Sequence, residues 1–384
     1  MQFHALAHEL RAPKHYLYSA TGPTPTSAFF SLFGSWKMRQ TNKKMLKKHR
    51  LPPSRNRSKL VIASFELRRC TRSQFDRMGL QIFRTVQEVT QWRTGAVGDR
   101  RKISIGFVPT MGCLHAGHAS LIKQCRESND YVVVSIFVNP SQFAPTEDLD
   151  KYPRTLANDI DLLKELNVDV LFQPSPHEMY PQGIPLHVSE QRGPFVTVLG
   201  VSEMLEGSTR PNFFRGVATV VTKLLNIVMP DVAYFGQKDI QQFIVLNVMV
   251  QELFVNTKLV MMPICRDSSG LALSSRNKYL CQDSLKVASS IYAGLSAATT
   301  LIKEQECVVE RETILTKIGH IWEPYVQSGD FEIDYISIAD IKSLAEKREI
   351  KPQEDGLTVI SCAVYVRDRK HPETQVRLID NIIL

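Results

Sequence analysis

Residues 103–122, ISIGFVPTMGCLHAGHASLI, constrain this chain more than any other stretch. Ile103, Ile105, Phe107 and Val108 make a β-rich apolar run that stops at Pro109-Thr110-Met111-Gly112. A pattern of helical period opens at Leu114 and continues through Leu121 and Ile122. Strand, turn and helix in that order predict the βα unit of an open sheet, which binds ligands beyond its strand ends. His115 and His118 fall in the opening turn of the helix, three apart and so on one face, with Gly117 between them to let a ligand approach the backbone. Free N–H groups and the positive end of the helix dipole point the same way and suit a phosphate. Taken alone, His-x-Gly-His also fits a turn carrying two surface histidines. A metal pair fits less well, because neither an HExxH spacing nor a nearby Cys pair completes a site.

The rest of the chain extends the alternation. Helical patterns are predicted at residues 86–92, 115–128, 156–166 and 212–228, and strands at 103–108, 131–138, 168–172 and 232–235. The run YVVVSIFV, apolar without a break, suits a parallel strand buried on both faces. Together these predict an α/β fold, a Rossmann-like doubly wound parallel sheet with right-handed crossovers, over residues 78–264. Past Cys265 the texture changes. Helices at 288–302 and 309–321, short strands at 333–338, 359–366 and 376–379, and an exposed hairpin or loop at 347–356 predict a smaller α+β C-terminal domain, 265–384. Asn139, Gln142, Gln237, Lys238, Asp239 and Gln242 all follow strands, at the edge where such sheets bind ligands.

The net charge of +8 resembles a nucleic-acid signature until it is divided along the chain. Residues 1–77 carry 16 Lys and Arg against three acids, leaving 31 basic and 36 acidic groups in the other 307 residues. The body is mildly acidic and has no RRM or KH pattern, so no nucleic-acid partner is expected. The basic segment cannot bury much apolar surface and is predicted to be disordered. Three readings of it stand: an Arg-rich targeting peptide that would direct the chain to mitochondria, a basic tail, or upstream sequence wrongly joined to the chain. Scattered cysteines, seven in all and none in CxxC, read as reduced thiols and point to a cytoplasmic protein. No run of 18 apolar residues predicts a membrane span.

Neither GxxxxGK[ST], GxGxxG nor GxSxG is present. Lys238, after Gly236, could set an ammonium on phosphate oxygens, and Ser274-Ser275-Arg276 offers two hydroxyls and a guanidinium as a polyphosphate clamp. Gln142 and Gln242 are neutral amides able to read hydroxyls and a carboxylate without adding charge. Each alone is ordinary surface. Combined with the histidine pair they suit reaction at the α-phosphate of ATP, with pyrophosphate leaving.

The blocks PTMGCLHAGHASL, VVVSIFVNPSQF, KYPRTL, MLEGSTRPNFFRGVATVVTKL, DVAYFGQKDIQQF, LALSSRNKYL and VRLIDNI together resemble pantothenate synthetase, also called pantoate–β-alanine ligase, from about residue 79 to the C-terminus. The resemblance implies that pantoate and ATP form pantoyl adenylate, from which the amine of β-alanine displaces AMP. It implies that Met111, Gly112, Cys113, Leu114, His115, Ala116, Gly117 and His118 hold ATP, with His118 as proton donor and His115 as a partner on the phosphates. Gly236, Gln237, Lys238 and Asp239 would bind ATP, Lys238 on the phosphates and Asp239 near the ribose. Leu273, Ser274, Ser275 and Arg276 would close from the second domain, and Cys265 would contact the adenine through its backbone. Gln142 and Gln242, with Asn139, would hold pantoate, and β-alanine would come in beside Gln142 on the side that pyrophosphate leaves. Mg²⁺ is expected to arrive on ATP, held by phosphate oxygens and water without a dedicated protein site, and a homodimer is expected. Neighbouring cations are expected to lower the histidine pKa values. The chain departs from the family at Cys113, usually alanine, which predicts sensitivity to thiol reagents, and in longer segments at 184–200 and 347–356. The alternative is a nucleotidyltransferase of the same HxGH superfamily acting on another small substrate.

Overall fold

Alternate residues of the central strands belong to two different cores. Val133 packs with Phe107 and Val170, whereas Val132 and Val134 pack with Val108 and Ile122. A strand with both faces buried in this way must lie inside a sheet covered by helices on each side. The structure is a computed structural model that describes residues 79–95, 103–145, 147, 149–150, 152–352 and 358–384. The expectations for residues 1–78, and those for 353–356 of the C-terminal loop, lie outside the described residues.

In chain order the first part consists of β1 (Gln81–Phe83), α1 (Val86–Gly95), β2 (Ile105–Thr110), α2 (Ala116–Ser128), β3 (Tyr131–Ile136), α3 (Leu156–Glu165), β4 (Val170–Phe172), α4 (Phe213–Val228), β5 (Val232–Gly236), α5 (Ile240–Glu252) and β6 (Lys258–Met262). The strands pair in the order β1-β4-β3-β2-β5-β6, and every pairing is parallel. Val89 of α1, Val217 of α4 and Leu246 of α5 cover one face, while Ile122 of α2 and Leu163 of α3 cover the other. The sheet is therefore doubly wound, as the alternation predicts. From β2 the chain builds outward through β3 and β4, then returns to place β5 on the other side of β2. This reversal is a topological switch point, and it opens a crevice at the carboxyl ends of β2 and β5.

The second part has α6 (Gln282–Ala288), α7 (Ser290–Lys303), β7 (Val309–Glu310), α8 (Arg311–Gln327), β8 (Phe331–Asp340), β9 (Glu349–Ile350), β10 (Thr358–Arg367) and β11 (Gln375–Ile383). Its antiparallel sheet runs β11-β10-β8, and its core joins Leu295, Ile314, Ile318 and Trp322 of the helices to Ile360 and Val364 of β10. Residues 282–303 are apolar and long enough to cross a membrane by length and composition, but Ile291, Leu295, Ala298 and Ile302 are buried in this core. The predicted helix at 309–321 begins instead at Arg311, because Val309 and Glu310 pair with Glu349 and Ile350, inside the segment predicted to be an exposed hairpin or loop.

Two polar joints fasten the antiparallel sheet to the parallel one beside the crevice. Arg377 of β11 grips Glu206 through both Nη atoms, at 2.6 and 2.8 Å, while its Nε and Nη2 reach Asp334 at 2.9 and 2.6 Å. Asn381 of β11 donates to the carbonyls of Gln237 and Lys238 at 2.9 and 3.1 Å, and so fixes the turn that follows β5.

Candidate active site

At the switch point lies a cavity of about 530 Å³. The loop leaving β2 forms its floor, and its shape follows from two successive residues with positive φ, Gly112 at 84° and Cys113 at 52°. At Gly112 a Cβ would also approach Ile136 and Asp159 within 3.0 and 3.2 Å, so only glycine suits the position. Asp159, one turn into α3 and buried, accepts from the N–H groups of Cys113 and Leu114, both at 2.9 Å, and from the Thr155 hydroxyl at 3.0 Å. A carboxylate with three donors holds the strained loop in place. Nothing in the sequence marks it, since an acid in the first turn of a helix is ordinary dipole matching.

The loop delivers the histidine pair to the start of α2. Gly117 N–H donates to His115 Nδ1 at 3.2 Å, and His115 N–H donates to His118 Nδ1 at 3.3 Å. Two of the backbone donors expected to be free for phosphate are thus taken by the rings. Gly117 is required by the His115 ring, whose Cε1 would lie 2.9 Å from an added Cβ, and not only by the approach of a ligand. With Nδ1 accepting on both rings, each neutral imidazole carries its proton on Nε2. Burial, then the charges of Lys238 and Lys278, lowers the pKa of His115 against the opposing Asp239. Burial, followed by His115 and Lys238, holds His118 down to about 3. Cations act in the predicted direction, but burial is the leading cause. His118 therefore offers an Nε2–H as a hydrogen-bond donor, a narrower role than the proton donor that the resemblance implies.

A stability consequence follows. The His118 pKa is depressed in the folded state, so the unfolded chain binds the extra proton as pH falls below 6.5, and stability is lost between there and about 3. Urea titrations at a series of pH values should show a shallower acid loss for His118→Gln than for the wild type. Parallel profiles would contradict a buried neutral ring.

Opposite the histidines, Lys238 follows β5 with its side chain 21% exposed and only a loose 3.9 Å pairing to Asp239. The segment after Cys265 folds back antiparallel, with Arg266 bridging Ala272 and Leu273 N–H donating to the Cys265 carbonyl at 2.9 Å. This hairpin brings Ser274, Ser275 and Arg276 over the first loop. Arg276 N–H donates to Ser274 Oγ, and Ser275 Oγ lies 3.5 Å from the Cys113 carbonyl. Tyr152, pushed up to about 12 by burial, sits beside Arg276 and Ser275. Lys278 Nζ lies 3.1 Å from Cys113 Sγ. Cys113 itself is 1% exposed. Contrary to the expected thiol sensitivity, iodoacetamide followed by peptide mass spectrometry should label exposed Cys307 and leave Cys113 unmodified, with or without ATP. Labelling of Cys113 at the Cys307 rate would overturn this.

The amides stand on the remaining side. Asn139 is 1% exposed, and protein fills its hydrogen-bonding groups: Nδ2 donates to Gln142 Oε1 and the Gly216 carbonyl, and Oδ1 accepts from the Ser141 and Tyr180 hydroxyls. Asn139 therefore positions Gln142 and has no group to spare for a substrate, which corrects its expected place among the substrate ligands. Gln142 Nε2 has only the weak acceptor Met111 Sδ, at 3.2 Å, and is ready to exchange it for a better one. Of the predicted residues, Met111, His115, Gly117, His118, Asn139, Gln142, Gly236, Lys238, Asp239, Gln242, Cys265, Leu273, Ser274, Ser275 and Arg276 all line this one cavity. Gly112, Cys113, Leu114, Ala116 and Gln237 are not among the residues that line it. Glu206, Arg210, Tyr152 and Arg377 also line the cavity and were not singled out from sequence.

A sequence model of pantoate-beta-alanine ligase matches residues 81–383. The chain belongs to the pantoate-beta-alanine ligase family. A curated pantoate-beta-alanine ligase from Saccharomyces cerevisiae is 64% identical over 79% of this chain and 100% of its own length. Pantothenate synthetase from Fervidobacterium nodosum is 43% identical over 79% of the chain and 99% of its own length. Among solved structures, the Thermus thermophilus family member superposes with a TM-score of 0.67 at 37% identity, covering 79% of this chain and 98% of that one. The Francisella tularensis ligase, solved with beta-gamma ATP and beta-alanine, gives 0.58 at 35% identity over 79% and 97%.

Proposed function

We propose that this chain joins pantoate to β-alanine at the expense of ATP, through pantoyl adenylate. The observation that carries the reading is that anion-binding groups and neutral amides line one cavity at the switch point of a family member's sheet. The nucleotidyltransferase alternative is not favoured by a curated ligase relative 64% identical over the matched length. A carboxylate is a weak nucleophile toward an anionic phosphate, so the protein must supply orientation and charge neutralisation. Gln142 and Gln242 hold pantoate, and a carboxylate oxygen attacks the α-phosphorus as the bond to pyrophosphate breaks. Lys238, Arg276 and the two Nε2–H groups stabilise the charge that grows on the phosphoryl and leaving oxygens. The neutral amine of β-alanine then attacks the acyl carbon. Its C–N bond forms, the C–O bond to AMP breaks, and the surplus proton passes to water.

Among the described residues no three His, Cys, Asp or Glu side chains converge as a metal cage. Mg²⁺ would arrive on the phosphates of ATP, where it would add charge neutralisation. The homodimer implied by the family, and delivery to the cytoplasm or, through residues 1–77, to mitochondria, complete the proposal. Sedimentation equilibrium and fractionation of a tagged chain test those two points. The activity is tested by pantoate-dependent exchange of labelled pyrophosphate into ATP without β-alanine, using a chain that begins at Met78. Exchange is the expected result, and silence from both this chain and the full length would overturn the adenylate.

A further inference from the structure

Cys113 occupies a backbone position that few side chains tolerate. Its φ is 52°, its N–H is held by Asp159 at 2.9 Å, and only 1% of it is exposed. Lys278 belongs to the short 3₁₀ helix Ser275–Tyr279, and its Nζ donates to Cys113 Sγ at 3.1 Å, its one hydrogen bond among the described residues. A second contact joins the same two segments, with Ser275 Oγ 3.5 Å from the Cys113 carbonyl. The loop after β2 and the Ser274-Ser275-Arg276 clamp thus meet at a thiol and an amine. Neither Cys113 nor Lys278 lines the cavity, so the adenylate chemistry leaves the pair unused.

Other cysteines face groups of different chemistry. Cys125 Sγ accepts from the Asn129 amide at 3.9 Å, and Cys362 Sγ donates to the Asp380 carbonyl at 3.7 Å. Cys281, half-buried, meets the Ser284 hydroxyl at 3.2 Å. An amide, a carbonyl and a hydroxyl are poor nucleophiles toward sulfur, whereas an amine is a good one. A cation beside a thiol also marks the cysteines that oxidise readily, in contrast to inert ones in apolar surroundings. Access favours a small oxidant. Lys278 is exposed, and its flexible four-carbon stem covers the sulfur. When the stem swings out, hydrogen peroxide reaches Sγ, while the bulkier iodoacetamide does not.

We propose that hydrogen peroxide joins Cys113 to Lys278 through a reversible S–N bond, which locks the clamp onto the loop after β2 and stops turnover. The effect on activity rests on the ligase reading, and the modification site goes beyond it. Peroxide first takes the thiol to the sulfenic acid. Sulfur gives up two electrons, the O–O bond breaks, one oxygen stays on Sγ and the other leaves as water. Lys278 then sheds one ammonium proton to solvent, and the Nζ electron pair attacks Sγ. The S–N bond forms as the S–O bond breaks, and the hydroxide leaves as water with a second proton from the nitrogen. A dithiol reverses the tie by attacking Sγ, which frees the amine and leaves the dithiol as its own disulfide. ATP enters and AMP leaves between the loop and the clamp, so a covalent tie across them halts both.

Full-length protein treated with hydrogen peroxide, freed of the excess with catalase and digested without reductant, should yield a peptide pair joined at Cys113 and Lys278. The pair should be lighter by two hydrogens than its parts, and dithiothreitol should separate it. Pantoate-dependent pyrophosphate exchange should be mostly lost on treatment and mostly regained with dithiothreitol. Lys278→Arg keeps the charge, but a guanidinium that stays protonated cannot close the bond. No joined pair should form there, Cys113 should go on to the sulfinic acid, and the lost exchange should not return. In Cys113→Ala, exchange should resist the same treatment. Each variant is read against its own untreated sample, so a change in basal rate does not enter. Absence of the joined pair from the wild type, a joined pair with exchange intact, recovery in Lys278→Arg equal to the wild type, or an equal loss in Cys113→Ala would each overturn the proposal. Absence of exchange in untreated wild type would instead remove the ligase reading, while the joined pair, read by mass, would still stand or fall on its own.

Discussion

Lys238→Ala should slow pantoate-dependent pyrophosphate exchange and amide formation alike by about 10²-fold or more, the scale for losing one preorganised donor to developing charge. The expectation follows from where the ammonium stands. It follows β5 at the switch point, across from the N-terminus of α2, and its nearest carboxylate is Asp239 at 3.9 Å. A pairing so loose neutralises little of the charge and leaves it available to phosphate oxygens. His115 and His118 both feel that charge, so the three groups act on one small volume. Removing it also lets the histidines bind protons more readily, but that effect is minor beside their burial. The loss should fall on kcat more than on the KM for pantoate, because the charge to be stabilised grows only as the α-phosphorus is attacked. Lys238→Arg should not restore the rate, since the guanidinium is a flat fork and the site presents a point charge. Thermal unfolding should move little, as the side chain makes no tight contact. Exchange at near wild-type rate in the alanine variant would remove Lys238 from the chemistry.

The same residues show what sequence can and cannot make visible. The elements β3, α2 and α4 were legible because their burial follows a long, regular pattern, and the pattern places the His-x-Gly-His turn at a strand end. β1, with three residues, and β6, KLVMM, are too short for any period to emerge. α5 escaped for the opposite reason. Leu246, Met249 and Val250 pack on the sheet while Ile240, Ile244 and Val245 pack in a separate cluster with Val359 of β10, so the helix is apolar on more than one face and has no clean stripe. Within the site, groups that touch a ligand declared themselves by clustering near strand ends. Those that hold the groups in place did not, because Asp159, Tyr152 and Asn381 act through partners remote in sequence. Asn139 is the instructive case. It stands at a strand end like a ligand, yet the fold uses it up on Gln142, Tyr180 and Gly216.

The joint between the two sheets is the most remote of all, since Glu206 and Arg377 are 171 positions apart. Arg377→Met should destabilise the protein by about 3–5 kcal/mol, the usual result of removing one member of a buried pair. Glu206 would be left buried, with the Tyr335 hydroxyl at 3.0 Å and the Gln241 side chain on its backbone N–H, but with no positive partner. Burial and this carboxylate already push the Tyr335 hydroxyl far above the usual phenol range, so Tyr335 cannot share the charge. Asp334 would lose the same guanidinium, though with 22% exposure and the Thr209 hydroxyl it has water and a donor to fall back on. Glu206 therefore decides the size of the loss. Combining Arg377→Met with Glu206→Gln should recover part of it, because the second change removes the uncompensated charge. Thermal unfolding at fixed protein concentration measures both. A single variant within about 1 kcal/mol of wild type would place the joint in the weak class of solvated surface pairs. A double variant no better than the single one would mean that losing the Arg377 guanidinium from beside the Tyr335 and Tyr365 rings, 5.9 Å from each centroid, outweighs the charge.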